Sequence, residues 1–184
     1  MTDKKILFIV GSLREGSFNR QLAKLAESFI ADKAAVSYLD YSDVPFINQD
    51  TEYPAPAGVA RIRQTVAEAE AVWVFSPEYN FSYPGLLKNL IDWLSRPVAP
   101  YDFATPTVLA GKKFTISGAG GKMGTSKAQE KLSELLKFVN ANLLDIHQTA
   151  IILNNEAWTE NKMILTEEQQ QELKAQAEAL LAQL

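Results

Sequence analysis

Two hydrophobic periods alternate along the 184 residues, and this alternation constrains the fold more than any single motif. Ile6-Leu7-Phe8-Ile9-Val10 is a continuous apolar run that stops at Gly11. A run without polar alternation fits a strand covered on both faces. Phe18, Leu22, Leu25, Ala26 and Phe29 then recur at helical spacing, with Ser17 placed to cap them. The same exchange of periods repeats. Ala34 to Leu39 reads as a second strand and Val59, Ile62, Val66 and Ala69 as a second helix. Ala71 to Ser76 reads as a third strand, and a third helix begins near Pro84 and ends at Arg96-Pro97. Lys113 to Ser117 is a fourth strand, and Ala128 to Leu143 carries a long fourth stripe. Ile146 to Leu153 contains a fifth strand, and Thr166 to Gln169 has the capping-box pattern before a last helix.

Five strands alternating with five helices predict an α/β fold with a parallel sheet covered on both faces. The length fits one domain spanning residues 1–184, and no repeat or linker interrupts it. In such sheets, ligands bind outside the carboxyl ends of the strands, where strand order reverses. The loops after strands one, three and four are therefore the places to look for chemistry.

The first loop is Gly11-Ser12-Leu13-Arg14-Glu15-Gly16-Ser17-Phe18-Asn19. It combines two hydroxyls, an amide, a guanidinium and the start of a helix, where unpaired N–H groups attract anions. That set suits a phosphomonoester. Read alone, it is equally a strand-to-helix turn with a serine cap. Two nucleotide motifs fail here. Gly11 and Gly16 have Walker spacing, but Ser17-Phe18 stands where Lys-Ser is needed. Leu13 stands where a dinucleotide fingerprint needs its second glycine, so Asp40 after strand two reads as a turn residue.

The second loop, Ser76 to Gly85, carries three aromatics, Tyr79, Phe81 and Tyr83, in a segment type that is normally polar. Such residues frame a flat ring, or pack beneath the loop or in a subunit interface. The third loop, Ser117 to Gly124, holds four of the chain's nine glycines, which permits close backbone approach to a ligand. Glu156 to Glu160 reads as a surface loop, and Trp93 as core or subunit interface.

Composition removes several classes of chemistry. The chain has no cysteine, so disulfides and thiolate sites are excluded. Its one histidine, His147, lies away from the three loops and reads as structural. The net charge of −4 and the lack of a basic cluster argue against a nucleic-acid partner. The short apolar run after Met1-Thr2-Asp3-Lys4-Lys5 is neither a signal core nor a membrane span, so a cytoplasmic protein is expected.

Two stretches are similar to the NAD(P)H-dependent FMN reductases, the family of bacterial chromate, quinone and azo-dye reductases. One is Gly11 to Asn19, resembling G-S-L-R-x-G-S-x-N. The other is Pro77 to Arg96, resembling P-E-Y-N-x-S-x-P-G-x-L-K-N-x-I-D-W-x-S-R. The resemblance implies a flavodoxin-like three-layer sandwich with a five-stranded parallel sheet of order 2-1-3-4-5. It implies FMN at the switch point, its phosphate held by Ser12, Arg14, Ser17, Phe18 and Asn19. Pro77, Glu78, Tyr79 and Asn80 would run beside the ring, with Ser117, Gly118, Gly120 and Gly121 opposite. NAD(P)H would act as co-substrate and a small-molecule electron acceptor would follow it in the same pocket. A homodimer or homotetramer is implied as well. The segment 97–111 and the Gly118 to Gly124 loop depart from relatives and put the acceptor in doubt. The alternatives are a flavodoxin-like electron carrier, which the modest net charge disfavours, and an FMN-binding module without NAD(P)H turnover.

Overall fold

In the computed structural model, which describes residues 4–184, the first strand β1 (Lys5–Val10) is an inner strand of a parallel sheet. The opening Met1-Thr2-Asp3 lies outside the described residues. β1 pairs with β2 (Ala35–Tyr38) on one side and β3 (Ala71–Phe75) on the other. β3 pairs in turn with β4 (Lys113–Gly120). Every residue of β3 is buried, as its unbroken apolar run requires of a strand covered twice.

Helices cover both faces. α1 (Phe18–Ile30) and α6 (Glu167–Ala182) pack on the face that presents Phe8, Trp73 and Phe75. α2 (Ala57–Glu68), α3 (Gly85–Leu94) and α4 (Ser126–Phe138) pack on the face that presents Leu7, Val72, Val74 and Ile116. The first of these cores centres on an aromatic cluster. Phe8 meets Trp73 edge-on at 5.5 Å, and Trp73 stacks on Phe75 at 5.1 Å. Trp93 is core, as expected, and its indole N–H donates to the Pro45 carbonyl at 2.7 Å.

The strand order is 2-1-3-4-5, the flavodoxin-like order the resemblance implies. The fifth position differs from the sequence reading. Two short strands occupy it: β5 (Asn142–Leu143) beside the start of β4, and β6 (Ala150–Ile152) beside its end. The apolar stripe of α4 does not continue to Leu143. Val139 closes the helix, and Asn140 takes a left-handed conformation (φ 62°) that turns the chain into β5.

A second difference is that β4 runs three residues past Ser117. Gly118 to Gly120 are therefore strand, paired with β6, and not loop. Sterics account for it. A Cβ on Gly118 would lie 2.2 Å from Thr125 Oγ1 and 2.3 Å from the Ser76 carbonyl. Glycine there lets β4 pass between two neighbours.

The third difference concerns residues 155–160. They form a short helix, α5 (Asn155–Glu160), where a surface loop was expected. The Asn154 carboxamide accepts from Ala157 N at 2.8 Å, and Asn161 ends the helix at φ 51°. Only Ala157 is buried, so no apolar stripe announces the helix in the sequence.

Candidate active site

β1 and β3 end side by side, and β2 and β4 lie on their outer sides. The crevice that opens there is the switch point of the sheet. The residue after each strand begins a wall. Gly11 bonds Phe75 O at 2.8 Å, which draws the first loop against β3. A Cβ on Gly11 would lie 2.7 Å from Leu87 of α3, so a larger residue would push the loop away. Below it, buried Tyr41 donates its hydroxyl to Val10 O at 2.7 Å, and burial holds its phenol well above its ordinary range.

The first loop wraps into α1. Ser17 caps the helix, its hydroxyl accepting from Arg20 N at 3.3 Å. The Ser17 carbonyl accepts from Arg20 N and Gln21 N. The N–H groups of Phe18 and Asn19 have no acceptor among the described residues. The Arg14 guanidinium lies over the Phe18 ring, 5.1 Å from its centre. Ser12, Arg14, Ser17, Phe18 and Asn19 all line one cleft.

Asn19 lines it without presenting its amide. The carboxamide is buried and engaged through both its polar atoms, donating to Ala119 O at 3.0 Å and accepting from Ala119 N at 2.9 Å. β3 has ended at this level, so Asn19 completes the ladder on the free side of β4. The carboxamide thereby fixes α1 against β4, and the backbone N–H is left free among the described residues.

The second wall is Pro77, Glu78 and Tyr79. Glu78 Oε2 accepts from Ala128 N at 3.0 Å. Thr125, at the cap position of α4, makes no side-chain cap bond. The Glu78 carboxylate therefore caps α4 from another loop, where the helix dipole favours negative charge. Tyr79 and Ser82 exchange backbone bonds of 2.9 and 3.1 Å across a tight turn. Asn80 and Phe81 hold that turn with φ of 52° and 60°. Asn80 thus sits at the tip, outside the cleft lining.

The third wall is Ala119, Gly120 and Gly121. A Cβ on Gly121 would meet nothing within 4 Å, so this glycine leaves open space. Ser117 is a correction to the sequence reading. It is fully buried, its hydroxyl accepting from the Trp73 indole at 2.9 Å and donating to Gln176 Oε1 at 2.8 Å. A buried indole N–H needs an acceptor, and the strand's alternation turns Ser117 toward it. Gly118, one position on, packs against Thr125 and is likewise absent from the cleft.

Trp158 of α5 closes the cleft on a fourth side. It meets Phe18 edge-on at 5.0 Å. Nothing in the sequence reading pointed to it. The available signal was the pair of asparagines at 154 and 161, a cap and a left-handed terminator one short helix apart.

The cleft has a cavity volume of about 160 Å³ and opens to solvent, so a larger ligand would lie partly outside it. Its donor set fits FMN. Hydroxyls, free N–H groups and a guanidinium gather at one end, where a phosphate dianion would sit. Backbone and an aromatic ring border the other end, where a flat ring would lie. Among the described residues no group of acidic or histidine side chains could hold a metal.

A flavodoxin-like sheet with a phosphate-suited loop and an open cleft at its switch point defines a flavin-mononucleotide protein class. Residues 4–156 match the family model described as NADPH-dependent FMN reductase, and the chain belongs to that family. It is 32% identical over 180 residues to an NAD(P)H-dependent FMN reductase of Pseudomonas aeruginosa, covering 97% of this chain and 94% of that one. It is 36% identical over 146 residues to an NAD(P)H:quinone oxidoreductase of Solanum tuberosum, covering 77% and 71%. Among solved structures it resembles the flavoenzyme NAD(P)H:(acceptor) oxidoreductase FerB of Paracoccus denitrificans. That match has a TM-score of 0.81 at 28% identity and covers 97% and 96% of the two chains.

Proposed function

We propose that this chain is an FMN-dependent NAD(P)H oxidoreductase whose acceptors are quinones and related small molecules. The observation that carries the reading is the cleft that sets the anion-suited loop beside Pro77, Glu78 and Tyr79 at the switch point of the sheet. Bound in this cleft, FMN would supply the capacity for hydride acceptance from NAD(P)H and two-electron reduction of the acceptor. The protein's part is binding and orientation. Ser12, Ser17 and Arg14 would hold the phosphate with the free N–H groups of Phe18 and Asn19. Pro77, Glu78 and Tyr79 would border one edge of the ring, with Gly120 and Gly121 at the other. Asn80 would act through the turn it shapes, and Gly118 through the path it gives β4. Half-exposed Tyr79 frames the open side, where NAD(P)H and then the acceptor would stack in turn.

Further parts of the reading concern assembly and place. Tyr101, Phe103 and Phe138 are 90%, 77% and 84% exposed, and the last two line a shared groove. Exposed aromatics grouped in this way suit a subunit contact. They support a homodimer or homotetramer, which sedimentation would resolve. A cytoplasmic location accords with NAD(P)H as co-substrate. No helix among the described residues is long and apolar enough to cross a membrane.

The test is spectroscopic. Purified protein should show the yellow absorbance of flavin, and anaerobic NADH or NADPH should bleach it. A quinone should then restore the colour. Yellow protein that NAD(P)H fails to bleach would support a carrier. Protein that takes up no FMN would overturn both readings.

A further inference from the structure

Arg14 does not stand alone on its loop. Its Nη1 donates to Asn161 Oδ1 at 2.7 Å and its Nη2 to Gly16 O. Its guanidinium lies over Phe18, and Phe18 in turn meets Trp158. Asn161 and Trp158 belong to one segment, α5 with its terminator, so that segment grips Arg14 and Phe18 together. The segment is also tied to α1. Gln21 Nε2 donates to Asn161 O at 3.3 Å, and Gln21 Oε1 accepts from Met163 N at 2.7 Å. The fit is close, since a Cβ on Gly16 would lie 2.4 Å from Asn161 Nδ2. Trp158 and Asn161 lie beyond residue 156, where the family match ends.

We propose that Asn161 is a positioning residue for Arg14, and that through it the segment 154–163 makes the cleft favour a phosphorylated flavin over an uncharged one. A guanidinium has five N–H donors, and two are engaged here, leaving three for a ligand. An arginine on a loop apex loses rotamer freedom when it binds. Asn161, Gly16 and Phe18 impose that restriction on folding, before any ligand arrives. Asn161 itself does not line the cleft and carries no charge. Its influence must therefore fall on whatever Arg14 touches. This rests on the reading of the first loop as the phosphate site.

The experiment titrates flavin-free protein with FMN and with riboflavin, which lacks the phosphate, and follows quenching of flavin fluorescence. Asn161→Gly keeps the left-handed backbone and removes the amide. Because Asn161 is exposed, the fold should survive the change. FMN affinity should fall about tenfold and riboflavin affinity by less than about twofold, the scale of one charge-assisted bond. In Arg14→Ala protein, adding Asn161→Gly should cause no further loss. Equal losses for both flavins, additive losses in the double variant, or unchanged FMN affinity would each overturn the proposal. Wild-type protein that binds FMN and riboflavin equally would instead bring down the phosphate-site reading, and this proposal with it.

Discussion

Single residues set how well the cleft fits its ligand, and two glycines on the same strand-loop junction show how differently they do so. A Cβ at Gly118 collides with Thr125 and the Ser76 backbone, whereas one at Gly121 meets open space. Gly118→Val should therefore destabilise the fold, by about 1–3 kcal/mol, as overpacking does. Gly121→Val should leave urea stability nearly unchanged and lower flavin occupancy by crowding the slot. Comparable unfolding midpoints for the two variants would contradict this contrast. Arg14→Ala should weaken FMN binding by about 1.5–3 kcal/mol, the scale of a charged hydrogen bond. Unchanged affinity would show that hydroxyls and backbone suffice. Away from the cleft, Glu52 is buried and forms a bidentate pair with Arg96 at 2.7 and 2.9 Å. The Arg96 bonds hold the Glu52 carboxyl below its ordinary pKa. A depressed carboxyl contributes stability above its unfolded pKa of about 4.3 and loses it as pH falls through the folded value. Wild type should thus exceed Glu52→Gln in urea stability by a constant margin from pH 6 to 8. That margin should narrow below about pH 4. A margin that widens on acidification would refute the assignment.

At the scale of elements, β4 is the seam of the molecule, and two carboxamides complete its ladder. Asn19 engages Ala119 where β3 has ended. Gln176 of α6 fills the gap between β5 and β6, donating to Ile116 O at 2.9 Å and to Thr115 Oγ1 at 2.7 Å. Its oxygen accepts from Thr149 N at 2.9 Å and from Ser117. Gln176→Leu keeps the volume but leaves these buried groups unpaired. Each such group costs about 1–3 kcal/mol, so the loss should reach at least about 3 kcal/mol. A loss below about 1 kcal/mol would mean that water replaces the amide. This seam also explains what the sequence could tell. Long apolar runs such as Ile6–Val10 and Ala71–Phe75 report their own burial, and the element order follows from them. The loops at Gly11–Asn19 and Pro77–Tyr79 are legible because glycine, proline and hydroxyl residues gather there against the apolar background. A divided strand of two and three residues has no period to detect. Strand four reads as ending at Ser117 because the glycines after it hide the continuation of β4. Trp158 and Asn161 went unseen because their helix buries a single residue.

Over the whole molecule, the cleft gathers segments that are far apart in sequence. The loop at 11–19, the turn at 77–79, the end of β4 and Trp158 all border it. Those segments come from both helical layers' side of the sheet, since Phe18 and Trp158 belong with α1 and α5 while Glu78 caps α4. An unfolded chain cannot present that arrangement, so FMN should bind the folded state alone and stabilise it by mass action. At a free concentration one hundred times its dissociation constant, FMN should add about 2.7 kcal/mol to the unfolding free energy. For a chain of this length each kcal/mol raises the midpoint by about 2–4 °C, which predicts a rise of about 5–10 °C. Riboflavin at the same free concentration should give a smaller rise, because it leaves the Arg14 end of the cleft without an anion. The Arg14→Ala variant should narrow the gap between the two flavins. Calorimetric melts of the flavin-free protein with each ligand would measure all three quantities. A midpoint that FMN leaves unmoved, while the protein visibly binds it, would show that the unfolded chain binds FMN as well as the folded one does, and would overturn the account of a site assembled only by folding.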